Sequence, residues 1–251
     1  MLVGYDLQGR VARLTLDSPH NHNALSTALV EQLHRGVEDA VAAGARVVVL
    51  GHTGRTFCAG ADLSEAAGGT PGDIALDRAR EMTRLLRAIL EAPVPVIAAV
   101  NGHVRAGGMG LVGACDIAVA GPQSTFALTE ARIGVAPSII SLTLLPKLTA
   151  RAAGRYFLTG EKFGPQEAAA IGLVTIAADD LGVTVAGLTA DIAKASPQGL
   201  AVSKALTTAG ILAGFDDRAE ALTAQSADLF ASEQAREGML AFLQKRSPDW
   251  A

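Results

Sequence analysis

Two apolar runs, Val47-Val48-Val49-Leu50 and Val94 to Val100, most constrain what this chain can fold into. Neither alternates with polar residues, so each reads as a strand buried on both faces. Each leads into a turn rich in glycine and alanine, and then into a helix-like segment. The first turn is Phe57-Cys58-Ala59-Gly60-Ala61-Asp62-Leu63; the second is Asn101-Gly102-His103-Val104-Arg105-Ala106-Gly107-Gly108. Nothing bulky shields the backbone N–H groups of such turns, so two of them can come close together. Two N–H groups aimed at one point make an oxyanion hole, which stabilises negative charge developing on a carbonyl oxygen. A third segment, Thr129-Glu130-Ala131-Arg132-Ile133-Gly134, could set a carboxylate beside that hole.

Around these turns the chain alternates strands and helices. Residues 11 to 17 alternate as a half-buried strand, and Ser18 to Asn23 form a turn rich in hydrogen-bonding groups. Ser26 caps a helix whose apolar face is Leu29, Val30, Leu33 and Val37, ended by Ala43-Gly44. Gly68-Gly69-Thr70-Pro71-Gly72 reads as a mobile loop before a helix carrying Met82, Leu85, Leu86, Ile89 and Leu90. A helix from Gly108 to Ala114 and a strand from Asp116 to Ala120 follow. The pattern predicts an α/β fold over roughly the first two-thirds of the chain. Past Gly160 the spacing predicts helices over 165–171, 183–195, 198–213, 216–231 and 233–246, and no strand. The expected organisation is a core over 1–195 and a helical region over 196–251 that packs on the core and on a neighbouring subunit.

The totals exclude several classes. The chain has 251 residues, 49% hydrophobic and 18% charged, which suits a globular protein with a sizeable core. A net charge of -4 with no basic stripe argues against nucleic acid as a partner. Gly or charge breaks every apolar run short of a membrane span. The start, Met1-Leu2-Val3-Gly4-Tyr5-Asp6, lacks the basic and apolar regions of a signal peptide. Cys58 and Cys115 make no disulfide framework and fit a reducing, cytoplasmic setting. Neither glycine turn has the spacing of a phosphate-binding loop.

Several passages together resemble the crotonase superfamily, the enoyl-CoA hydratase/isomerase group, over essentially the whole chain. They are Asn23-Ala24-Leu25-Ser26, Phe57 to Leu63, Ala99-Val100-Asn101-Gly102 with Ala106-Gly107-Gly108, and Cys115-Asp116. Leu158-Thr159-Gly160-Glu161, Ile171-Gly172-Leu173-Val174 and Arg236-Glu237-Gly238-Met239, running on to Arg246, complete the set. The resemblance implies a spiral of ββα units followed by a helical region that builds trimers, often paired into hexamers. It implies acyl-CoA thioester substrates, an oxyanion hole at Ala61 and Gly107, and Glu130 as the acid/base. It further implies CoA contacts at His22, Ala24, Ala59, Asp62 and Leu63, and at Phe242 and Lys245 reaching a neighbour's CoA. The CoA arrives with the substrate, so no separate cofactor or metal is implied.

One position departs from the family. Its first glutamate falls at Gly110. In the family's hydratases two carboxylates share the work of adding water to a 2-enoyl thioester, whereas moving a double bond from the 3- to the 2-position needs one base and the hole. The segment Ile133-Gly134-Val135-Ala136-Pro137 resembles the family's isomerases. Hydratase and isomerase both stay open, and a non-catalytic acyl-CoA binding protein is the alternative. A substitute for the missing carboxylate is to be sought at His103, Arg105, Asp62 or Glu65. Other readings are blander: Cys58 as a buried thiol rather than a nucleophile with His103, and His20 and His22 as turn residues rather than metal ligands. Arg78, Arg80, Arg84 and Arg87 read as a solvated face, Asp116 as structural, and Glu130 has Arg132 as a possible ion-pair partner.

Overall fold

Two sheets wind together in a computed structural model that describes residues 1–67 and 71–251. In chain order the strands are β1 (Val3–Gln8), β2 (Val11–Leu16), β3 (Val47–His52), β4 (Thr56–Cys58), β5 (Val96–Val100), β6 (His103–Arg105), β7 (Ile117–Ala120), β8 (Thr125–Ala127) and β9 (Ile176–Ala177). The helices are α1 (Thr27–Ala42), α2 (Pro71–Glu91), α3 (Gly107–Ala114), α4 (Ser141–Leu144), α5 (Ala150–Thr159), α6 (Pro165–Ala170), α7 (Leu181–Ala193), α8 (Pro197–Phe230) and α9 (Glu233–Gln244). A six-stranded sheet has the order β1-β2-β3-β5-β7-β9, and a three-stranded sheet the order β4-β6-β8. The chain visits them in turn: β3 then β4 then α2, β5 then β6 then α3, β7 then β8 then the turn at Glu130. This is a spiral of ββα units with a helical region at its C-terminal end.

The apolar runs form strands because helices cover both faces of the large sheet. Val48 and Leu50 join the main core, while Val47 and Val49 join a smaller cluster with Val185, Leu181, Leu188 and Ile192 of α7. Alternate residues point to opposite faces, so a continuous run of valines fills both layers. Ser26 caps α1 as expected, its hydroxyl accepting from Leu29 N at 3.2 Å.

The structure differs from the sequence expectation in four places. β1 was not foreseen; its exposed Tyr5 and Asp6 hide the alternation, and its pairing with β2 is antiparallel. The three strands of the small sheet have three residues each, too few to show a period. β9 adds a two-residue edge strand past Gly160, where none was expected. The two helices expected at 198–213 and 216–231 are one helix of 34 residues, about 50 Å long. Gly214 and Phe215 do not break it, because Phe215 is 1% exposed in the main core and the helix lies along α2. Of the loop expected at Gly68–Gly72, residues 68–70 lie outside the described residues, and Pro71 and Gly72 already belong to α2.

The helical region is fastened by polar contacts. Lys204 of α8 is buried, donates to Ile89 O at 2.7 Å and Val94 O at 3.0 Å, and pairs with Asp116 at 2.8 Å. Asp116 also accepts from Val96 N at 2.7 Å, so it joins α8 to the large sheet. Arg87 of α2 pairs with Asp216 of α8 at 2.7 Å, while its pair with Glu91 and that of Arg80 with Asp77 lie within α2. No helix among the described residues is long and apolar enough to cross a membrane.

α9 seats on the turn Glu130–Ile133 through two glycines. A Cβ at Gly134 (φ +77°) would lie 2.6 Å from Gln234 C, and one at Gly238 would lie 2.5 Å from Ile133 C and O. Both neighbours are backbone atoms that cannot rotate away. Gly238→Ala is therefore expected to cost about 1–3 kcal/mol by overpacking. A urea midpoint equal to wild type would show that α9 is not seated this closely.

Candidate functional site

β4, β6 and β8 are parallel neighbours, with Cys58 opposite Val104 and Arg105 opposite Ala127. The chain leaves their C-terminal ends at one edge of the small sheet. Gly60-Ala61 follows β4, Ala106-Gly107 follows β6, and Glu130 follows β8. Three segments far apart in sequence are thus delivered side by side. A Cβ at Gly60 (φ +94°) would lie 2.7 Å from Ala106 Cβ and 3.5 Å from Gly107 N, so the first two turns touch.

The backbone directions at the two turns have separate causes. Leu25 forms a parallel bridge with Ala61: Leu25 N donates to Gly60 O at 2.7 Å, and Asp62 N donates to Leu25 O at 3.2 Å. A parallel bridge uses the groups flanking the central residue, so the N–H of Ala61 itself faces the other way. Ala106 has φ 45° and ψ -119°, which an L-residue rarely adopts, and it turns Gly107 N–H out as the first residue of α3. Neither N–H has an acceptor among the described residues.

Leu25 is itself held by Asn23, which is fully buried at φ 54°. The Asn23 side chain accepts from Ser18 N at 2.6 Å and donates to Thr56 O at 2.7 Å and Thr53 O at 3.2 Å. Asn21 donates to Asp62 at 3.0 Å, which joins the same two segments again. His22 is exposed and in the left-handed region, Ala24 is buried, and Ala59 and Leu63 are half-buried beside the first turn.

Glu130 is 7% exposed, and its Oε2 has no hydrogen-bond partner among the described residues. Burial raises its pKa to about 7, opposed only by a hydrogen bond from its own backbone N–H. Arg132 does not pair with it; that guanidinium donates to Thr159 O at 2.7 and 3.1 Å. Glu130 is therefore an isolated carboxyl that can hold or release a proton near neutrality.

Each group considered as a substitute for the missing carboxylate is committed elsewhere. Asp62 accepts from the Ser64 hydroxyl at 2.6 Å and from Asn21, which hold its carboxyl below the usual range. Glu65 pairs with Arg78 at 3.2 Å. His103 meets Thr125 Oγ1 at 2.8 Å, and Arg105 donates to Thr125 O and Val104 O, both at 2.8 Å. Cys58 is fully buried and its thiol is pushed up to about 12 by desolvation, which rules it out as a nucleophile. Among the described residues no group of His, Cys, Asp and Glu could hold a metal ion.

Asn23 and Ala106 lie in passages that the sequence singled out, but the anchoring role of the Asn23 amide and the positive-φ backbone of Ala106 were not foreseen. Phe242 (64% exposed) and Lys245 lie at the end of α9.

A family model described as enoyl-CoA hydratase/isomerase matches residues 6–251. The 2,3-dehydroadipyl-CoA hydratase of Escherichia coli (strain K12) is 35% identical over 252 residues, 97% of this chain and 96% of that protein. Enoyl-CoA hydratase domain-containing protein 3 of Homo sapiens is 31% identical, over 96% of this chain and 80% of that protein. An enoyl-CoA hydratase structure from Mycobacterium avium is 64% identical with a TM-score of 0.93, covering 100% of this chain and 99% of that one.

The raised pKa of Glu130 makes stability depend on pH. The unfolded chain ionises this carboxyl near 4.5 and the folded chain near 7. Its contribution to stability is thus complete below about pH 4.5, falls as pH rises to about 7, and changes no further above that. Glu130→Gln removes this dependence. The stability difference between variant and wild type is expected to shift by up to about 3 kcal/mol in favour of the variant between pH 4 and 8. Parallel denaturation curves at the two pH values check it, and a constant difference would mean that Glu130 is not desolvated.

Proposed function

Because the chain belongs to the enoyl-CoA hydratase/isomerase family, we propose that it moves the double bond of an enoyl-CoA from the 3- to the 2-position. The observation that carries this reading is the set of groups at one edge of the small sheet: two unpartnered N–H groups, one buried unpaired carboxyl, and glycine at position 110. Ala61 and Gly107 N–H donate to the thioester oxygen and stabilise the charge that develops there. Glu130, ionised, takes a proton from C2; the electron pair spreads over the dienolate, and the same carboxyl returns the proton at C4. Its pKa near 7 suits both halves of that task.

His22, Ala24, Ala59, Asp62 and Leu63 surround the first turn and are the proposed CoA contacts. In a trimer, Phe242 and Lys245 at the end of α9 reach the CoA of a neighbouring copy. The exposed Leu240, Phe242 and Leu243 support such a packed assembly. The resemblance to proteins described as hydratases favours a second reading, hydration of a 2-enoyl-CoA. A non-catalytic acyl-CoA binder would gain nothing from keeping Glu130 buried without a partner.

Incubation with a trans-3-enoyl-CoA and with a trans-2-enoyl-CoA, followed by absorbance and mass spectrometry, separates the readings. The expected result is conversion of the first and no gain of water by the second. Glu130→Gln is expected to lower kcat/KM by about 10²–10⁴. In wild type, kcat/KM should rise with pH to a plateau above about 7. Undiminished turnover in that variant would remove Glu130 from the chemistry.

A further inference from the structure

Gly107 and Gly110 stand three residues apart on one face of α3, and three apolar side chains close over that face. A Cβ at Gly107 would lie 2.7 Å from Leu25 Cδ1 and 3.7 Å from Met82 Cε. One at Gly110 would lie 3.0 Å from Ile140 Cβ and 3.4 Å from Met82 Cε, with Ile140 Cγ2 closer still. Ile140 is 5% exposed and has little room to leave. Its carbonyl accepts from Leu144 N at 3.0 Å and Thr143 Oγ1 at 3.2 Å, and Thr143 Oγ1 also lies 3.2 Å from Gly110 O. Displacing Ile140 would unfasten α4 from α3.

We infer that Ile140 determines which reaction the site performs, by filling the volume that a second carboxylate and its water would need. The inference rests on the proposed isomerase reading and names the residue that enforces it. Hydration places the water oxygen on C3 and a proton on C2, while a base takes the other proton of the water. That chemistry needs a water position near C3 and a second proton-transfer group. Ile140, with Met82, closes the space, and Gly110 supplies no carboxylate. Isomerisation needs neither, because one proton leaves C2 and returns at C4. Ile140 is a specificity-determining residue; it moves no proton itself.

The test compares wild type, Ile140→Ala and the pair Ile140→Ala/Gly110→Glu on trans-3-hexenoyl-CoA and trans-2-hexenoyl-CoA. Isomerisation is read from the absorbance of the conjugated thioester, and hydration from the mass gain of one water. Circular dichroism and thermal melting establish that each variant is folded. The ratio of hydration to isomerisation is expected to rise at least about tenfold in Ile140→Ala, and about a hundredfold or more in the pair, where a second acid/base group is restored. Because removing a buried Ile side chain costs about 2–5 kcal/mol, Ile140→Val serves as a milder variant with a smaller rise expected. Isomerisation by wild type with unchanged ratios in the folded variants would overturn the role of Ile140 and leave the proposed function standing. Absence of isomerisation in wild type would instead overturn the proposed function.

Discussion

Leu25 bonds through its backbone to Gly60 and Asp62, the two residues that flank Ala61, and the candidate site depends on that arrangement. Ala61 is exposed at this edge, so an N–H left there without a protein acceptor stays accessible to a ligand. Here the neighbours of Ala61 are satisfied, which fixes the peptide plane, and its own N–H is left over. Asn23 fixes Leu25 in turn by reaching Thr53 and Thr56. The line runs from a buried amide, through one short bridge, to the direction of a single N–H.

Within the large sheet β3 and β5 were legible because they are apolar on both faces and β2 by its alternation, while β1 and β9 at the sheet edges were not; α1 was legible because Ser26 and its periodic leucines and valines follow ordinary capping and spacing. The small sheet was not: strands of three residues carry no period, and their pairing brings together segments more than twenty residues apart. Yet that sheet is what aligns the two turns with Glu130. The turns themselves could be picked out as glycine-rich, and Glu130 as a carboxylate after an apolar run. The unusual backbone at Ala106 left no trace, since an alanine between Arg105 and Gly107 looks like any other. The unbroken α8 was hidden by Gly214, whose low helix propensity is outweighed by the burial of Phe215 beside it.

Gly110 looks different from within the fold than from the sequence. Read alone, it is a missing carboxylate. Within α3 it belongs with Gly113 to a surface without side chains, on which Ile140, Thr143 and Leu144 rest. A Cβ at Gly113 would lie 2.9 Å from Thr143 Oγ1 and 3.1 Å from Leu144 Cδ2. The two glycines let Ile140 and α4 approach α3 closely. The chemistry available at this edge of the sheet and the packing of the helices behind it are therefore set by the same residues.

The conformation of Ala106 has a consequence for how a reaction here would respond to its own charge. An L-residue held at φ 45° and ψ -119° stores about 1–3 kcal/mol of strain, which the rest of the folded chain must offset. That strain is present before any ligand arrives. A dipole in water must reorient as charge develops, and the work of reorienting it enters the barrier. The Gly107 N–H has already been turned during folding, so the corresponding work appears as a small loss of protein stability. Speed at this site, on the proposed chemistry, would then be exchanged against stability at one alanine.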